Sequence, residues 1–179
     1  MAIKSTIFKA ELQIADMDRN YYHDHALTVA RHPSENDERM MLRILAFALH
    51  AHERLSFTKG LSSEDEPDLW QKSLSDEIEL WIDLGLPDEK RIRRACGRAR
   101  EVIIYTYNRS GADAWWQKMQ GKLQRFSNLS IINIDDASVT TLAGFSQRTM
   151  QLQFTIADGT TLLSNGEQSL EVTPIITKI

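Results

Sequence analysis

"EPDLWQKSLSDEIELWIDLGLPDEKRIRRA", residues 66–95, decides how the chain is read. A Pro-Asp pair, Pro67-Asp68, opens the run "DLWQKS". A polar turn, "LSDE", separates it from "EIELWIDLGL", and the two runs are expected to pair as antiparallel strands. Successive side chains alternate across a strand, so Ile78, Leu80, Ile82 and Leu84 share one face while Glu79, Trp81 and Asp83 share the other. The pattern predicts a core face and an outer face with two acids around a tryptophan. "PDE" then suits a helix start, with acids at the positive end of the helix dipole. "KRIRRACGRARE" continues that helix with Ile92, Ala95, Cys96 and Ala99 as its apolar stripe. Lys90, Arg91, Arg93, Arg94, Arg98 and Arg100 fall on its other faces.

Working outward, "EVIIYTYN" is a β-branched and aromatic strand, "GADAWWQKMQGKLQRF" a helix and "NLSIINID" a further strand. Strand, helix, strand, helix, strand predicts an α/β core with parallel pairing. At the start of the chain Phe8, Ala10, Leu12 and Ile14 alternate with Lys9, Glu11 and Gln13, the period of a half-buried strand. "MDRN" reads as a turn into "YYHDHALTVARH", completing an N-terminal hairpin. In "PSENDERMMLRILAFALHAHERL" the period changes: Met41, Leu42, Leu45, Ala48 and Leu49 recur as an amphipathic helix requires. Ser34 is placed to cap it, with Glu35 and Asp37 in its first turn. Glu38 projects onto the face of Met41, Leu42 and Leu45 and is expected to point inward, where a carboxylate needs a partner; Arg31 and Arg39 are within reach. In the tail, Asp158-Gly159 and Asn165-Gly166 mark hairpin turns between strands.

At 179 residues and 42% hydrophobic, the chain is long enough for one substantial core, and we expect a single domain over residues 1–179. The net charge of −4 with 26% charged residues gives no general attraction to polyanions, so nucleic-acid contact must come from the local basic helix. Lys4, Lys9 and Glu11 interrupt the start, which resembles neither a signal peptide nor a membrane span, and a cytoplasmic protein without membrane contact is expected. One cysteine excludes an internal disulfide and a cysteine-based zinc cluster. The five histidines lack a convincing zinc spacing and read as structural. No phosphate-binding glycine loop, nucleophile elbow or zincin motif is present.

The chemistry therefore rests on acids and on the basic helix. Hydrolysis of a phosphodiester calls for a hard cation held by oxygen ligands. Asp68, Asp83 and Glu38 are the candidate ligands for Mg²⁺, Asp68 and Asp83 also the candidate catalytic acids, and Lys90 the candidate stabiliser of developing charge. Arg91, Arg94 and Arg98 are the candidate nucleic-acid contacts, since guanidinium groups clamp phosphate bidentately. Each has a plainer reading: Asp68 ends an acidic loop, Glu79 is solvated, and the arginines serve solubility and surface ion pairs. Trp70 and Trp81 offer a third possibility, an exposed apolar face for a protein partner.

Several long blocks carry a resemblance: "IFKAELQIADMDRNYY", "LTVARHPSENDERMMLRILAFALHA", "LSFTKGLSSEDEPDLW", "ELWIDLGLPDEKRIRRAC" and "FSQRTMQLQFTIADG". In this order they resemble the bacterial YaeQ family over essentially the whole chain. The resemblance implies a mixed-sheet α/β/α core like that of PD-(D/E)xK nucleases, with added N-terminal and C-terminal β-hairpins. By that analogy Glu38 corresponds to the acid of the first core helix, Asp68 to the Asp of the Pro-Asp pair and Asp83 to the acid of the second strand. The lysine of that pattern belongs two residues beyond Asp83, where Gly85 stands. Either Lys90 supplies the cation from the helix, giving a Mg²⁺-dependent nuclease, or the fold has retired from catalysis and serves as a nucleic-acid- or protein-binding module.

Overall fold

The computed structural model describes residues 4–59 and 63–179. Along the chain lie β1 (Thr6–Asp16), β2 (Tyr21–Arg31), α1 (Asp37–Leu49), β3 (Leu55–Phe57), β4 (Leu69–Lys72), β5 (Ile78–Leu84) and α2 (Glu89–Arg98). There follow β6 (Ala99–Thr106), α3 (Arg109–Leu123), β7 (Leu129–Asn133), α4 (Asp136–Ala143), β8 (Thr149–Ala157), β9 (Thr160–Ser164), β10 (Ser169–Val172) and β11 (Ile175–Lys178). The described residues form a mixed α/β fold with two mixed sheets and four helices. It divides into two compact units: Met1–Leu49 with Ala137–Pro174, and His50–Asp136 with Ile175–Ile179.

In the first unit the expected hairpins form one five-stranded sheet, β10-β9-β8-β1-β2, joined by parallel pairing of β1 with β8. The alternation of β1 is as predicted: Phe8, Ala10, Leu12 and Ile14 are buried, together with Met150, Leu152, Phe154 and Ile156 of β8. Asp158 and Gly159 turn β8 into β9 with positive φ at both positions, the conformation that favours an Asp-Gly pair. The Asp18 carboxylate accepts both of their backbone N–H groups, at 2.7 and 2.9 Å.

Helix α1 departs from expectation. Met40 through Ala48 are all buried, so the helix is enclosed along its length rather than on one stripe. Its N-terminal donor is satisfied by Asn36, whose side chain accepts the Arg39 N–H at 2.9 Å, whereas Ser34 engages His32. The acid that turns fully inward is Glu35, 6% exposed, while Glu38 is only half-buried. Glu35 accepts from Arg39 Nη1 at 2.9 Å and from Arg43 Nε at 3.0 Å, and Arg43 Nη2 donates to both Glu35 and the Ala30 carbonyl. Arg31 pairs with Asp37.

In the second unit the sheet order is β11-β7-β6-β5-β4-β3. β4 and β5 are antiparallel, as expected, and β5, β6 and β7 run parallel through the two helical crossovers. Trp81, Val102, Ile104, Leu129 and Ile131 pack beneath Ile92 and Ala95 of α2 and Met119 and Leu123 of α3. The outer face foreseen for β5 does not exist: Trp81 and Asp83 are as buried as Ile82 and Leu84. An interior strand, here paired with β4 on one side and β6 on the other and buried on both faces, has no wet side for the alternation of its sequence to identify.

Candidate functional site

The site is built where β5 hands over to α2. Asp88 caps α2 by accepting the Arg91 N–H at 2.8 Å, which fixes the first turn and the direction in which Arg91 leaves it. The Arg91 guanidinium reaches back to Asp83: Nε meets Oδ2 at 2.9 Å and Nη2 meets Oδ1 at 3.0 Å, a bidentate pair. Trp81, two residues earlier on the same face, donates its indole N–H to Asp83 Oδ2 at 3.1 Å. Both oxygens of the 3% exposed Asp83 are thus engaged by cationic or neutral donors.

Asp68, 4% exposed, stands at the entry to β4. Its Oδ2 accepts the Leu84 N–H at 2.8 Å, and its own backbone N–H donates to the Ile82 carbonyl at 3.1 Å. Asp68 therefore stitches β4 to the end of β5, one residue beyond Asp83. Gly85 follows with φ +110, a backbone state that a lysine side chain rarely tolerates. Lys90 is exposed. Glu38 belongs to the other unit.

The resemblance implies Mg²⁺ at these residues. As arranged they do not fit it: the Asp83 oxygens are taken by Arg91 and Trp81, and an Oδ of Asp68 is committed to backbone. Among the described residues, no three His, Cys, Asp or Glu side chains cluster as a metal would need.

The basic helix has a partner that the sequence did not announce. Arg91 Nη1 donates to the Glu64 carbonyl at 3.0 Å and Nη2 to the Glu66 carbonyl at 3.0 Å. Arg98 Nη1 donates to the Asp65 carbonyl at 2.6 Å, and Arg94 Nη1 lies 3.5 Å from the Asp65 carboxylate. Carbonyl acceptors have no side-chain signature, so only the acidity of "SEDE" hinted at this contact. Arg98 also lies over the Trp81 ring, 5.2 Å from its centroid, and Trp70 meets Trp81 edge-on. Trp81 is 1% exposed and Trp70 packs against the same core, which removes the exposed tryptophan face as a docking surface.

Beside the end of α2 a depression of about 520 Å³ is lined by Asp76, Glu77, Ile78, Gly97, Arg98 and Arg100. A cavity of about 770 Å³ lies instead on the outer face of the first unit's sheet among Glu11, Gln13, Asp24, Gln151 and Gln153, and no lysine or arginine lines it. Glu79 is held below the usual carboxylate range by hydrogen bonds from Arg54 and Gln71. Burial pushes the Cys96 thiol up to about 11, so it is not a nucleophile at neutral pH. His25 is hydrogen-bonded to Tyr21, and His50 to Tyr105. No helix among the described residues is long and apolar enough to cross a membrane.

Comparison with known proteins follows the same outline. The family described as "YaeQ protein" matches residues 1–174. The "Uncharacterized protein YaeQ" of Salmonella typhi is 52% identical over 172 residues, covering 96% of this chain and 95% of that protein. Its namesake in Escherichia coli K12 is 51% identical with the same coverage. The crystal structure of the YaeQ protein from Xanthomonas axonopodis pv. citri superposes with a TM-score of 0.94 at 45% identity, over 97% of this chain and 98% of that one. That of the YaeQ protein from Pseudomonas syringae gives 0.94 at 33% identity, over 98% and 97%.

Proposed function

The chain belongs to the YaeQ family, and we propose that it is a non-hydrolytic nucleic-acid-binding protein on a scaffold related to the PD-(D/E)xK nucleases. One observation carries this reading: the Arg91 guanidinium occupies the carboxylate position where a hydrolytic cation would have to sit. A buried carboxylate neutralised bidentately is electrostatically complete and has little remaining affinity for a second cation. Around it, Lys90, Arg93, Arg94, Arg98 and Arg100 are exposed on or next to α2, in a chain whose net charge is −4. Such a patch contacts phosphates and not base edges, so the binding is backbone-directed and steeply salt-dependent, with a slope of about −0.9 in log K per duplex phosphate neutralised. Arg94 and Arg98 are the principal contacts and Arg91 is the anchor that holds the helix start in place. The protein acts in the cytoplasm, where nucleic acid is available.

The test is fluorescence anisotropy of a labelled 20-mer, single- and double-stranded, against wild type and Arg94→Gln/Arg98→Gln, with the same mixtures run on a denaturing gel after incubation with Mg²⁺. Binding that the double substitution abolishes, without cleavage, supports the proposal. Cleavage lost in Asp83→Asn refutes it in favour of the second reading. That second reading, a Mg²⁺-dependent nuclease with Asp68, Asp83 and Glu38 as ligands and Lys90 as the stabilising cation, is favoured by one fact: Asp68 and Asp83 are nearly fully buried acids at the adjoining ends of β4 and β5. It requires Arg91 to leave Asp83.

A further inference from the structure

We infer that the acidic segment Ser63–Glu66 is an internal competitor for the arginine face of α2, occupying it until a nucleic-acid strand displaces it; this rests on the binding function proposed above. Arg91, Arg94 and Arg98 recur at three and four residues and so share one side of the helix. Three consecutive acids, Glu64, Asp65 and Glu66, lie across that side. What the segment offers is a row of oxygen acceptors along an extended chain: the carbonyls of Glu64, Asp65 and Glu66 and the carboxylate of Asp65, each taken by one of the three arginines. A phosphodiester strand presents the same pattern, repeated oxygens at short intervals on a negatively charged backbone.

The contacts grade from fixed to releasable. Arg91 is held from below by Asp83 and stays in place whatever lies above it. Arg94 and Asp65 are 44% and 84% exposed, and an ion pair that open to water holds weakly. Local hydrogen bonds shape the segment: Ser63 Oγ accepts the Asp65 N–H and Glu66 Oε2 accepts the Lys59 N–H. A strand carrying one charge per phosphate therefore displaces the Asp65 contacts at little cost, and the segment sets a threshold that only a polyanion, not a lone phosphate, exceeds.

The experiment measures oligonucleotide affinity by anisotropy at one low salt concentration for wild type, the loop variant Glu64→Gln/Asp65→Asn/Glu66→Gln, and a variant of equal charge change on the outer face of the first sheet, Glu11→Gln/Asp24→Asn/Glu171→Gln. Each is also combined with Arg94→Gln/Arg98→Gln. The loop variant should bind roughly fivefold more tightly than the equal-charge control, the scale of one exposed ion pair released, and the gain should vanish in the arginine-substituted background. Equal gains in the loop variant and the control, or a gain that survives removal of the two arginines, overturn the competitor and leave the binding function standing. Absence of arginine-dependent binding in both wild type and loop variant removes the binding function and the competitor together.

Discussion

Among the described residues three buried carboxylates, Asp16, Glu35 and Asp83, are paired with arginine, and the last two differ most instructively in where the arginine ends. Glu35 and Arg43 in the first unit have side chains 2% and 7% exposed, and the pair is sealed further by Arg39 and the Ala30 carbonyl. Asp83 in the second unit is equally buried at 4%, but its partner Arg91 is 29% exposed and passes its remaining N–H groups to a surface loop. The chemistry is the same, a bidentate charge-assisted hydrogen bond, and the consequence is opposite. The first pair is nearly closed off from water and ties α1 to the Ala30 carbonyl of β2. The second connects a buried acid to an exposed basic helix and to the loop lying over it.

The contrast can be broken by substitution. The largest effect is expected for Glu35→Ala, which leaves Arg43 charged in the interior; removing one member of a buried pair costs about 3–5 kcal/mol. Urea unfolding followed by far-UV circular dichroism measures it, and a cost below about 1 kcal/mol would mean that the first pair is not sealed. Arg91→Gln should cost less, about 1–3 kcal/mol, because water reaches the vacated position and Trp81 still donates to Asp83. Equal costs for the two would erase the distinction. Asp88→Ala removes the cap that aims Arg91 and should cost about 1 kcal/mol, with little further loss when combined with Arg91→Gln if the two act on one contact.

The smallest effect concerns acid. Burial, followed by repulsion from His23, lowers His25 below its ordinary value of 6.5. The fold therefore favours neutral His25: its contribution is fully present above about pH 6.5 and is lost as pH falls through the lowered native value. Amide exchange of β2 should speed up on acidification through that window, and His25→Gln should flatten the dependence. Unchanged acid sensitivity in the variant would assign it elsewhere.

Much of this architecture was readable beforehand because local chemistry and tertiary context agreed. The β4–β5 hairpin and the start of α2 follow from a polar turn and a helix-start signal, although Ala99 and Arg100, read as the end of that helix, begin β6. β1 likewise kept its alternation because one side of its sheet faces water. Where context overrode pattern, the reading failed: β5 is covered on both sides, and α1 is buried all round, so the acid turned inward is Glu35 and not Glu38. Helix α4, "DASVTTLA", carries β-branched residues and no charge pattern to mark a helix, and β11 is too short to show alternation. The parallel join of β1 to β8 links residues some 140 positions apart, which no local signal encodes. At the site, Asp68, Asp83 and the basic helix were all singled out. Their pairing was not, because an arginine eight residues beyond an acid is unremarkable until the Asp88 cap and the strand end bring them face to face.

The most direct measurement is calorimetric titration of Mn²⁺ into the protein, repeated with Asp83→Asn. With Arg91 seated on Asp83, no saturable binding is expected in either. A single-site isotherm in the wild type that disappears in Asp83→Asn would show that the arginine yields to metal, and the hydrolytic reading would replace the binding one.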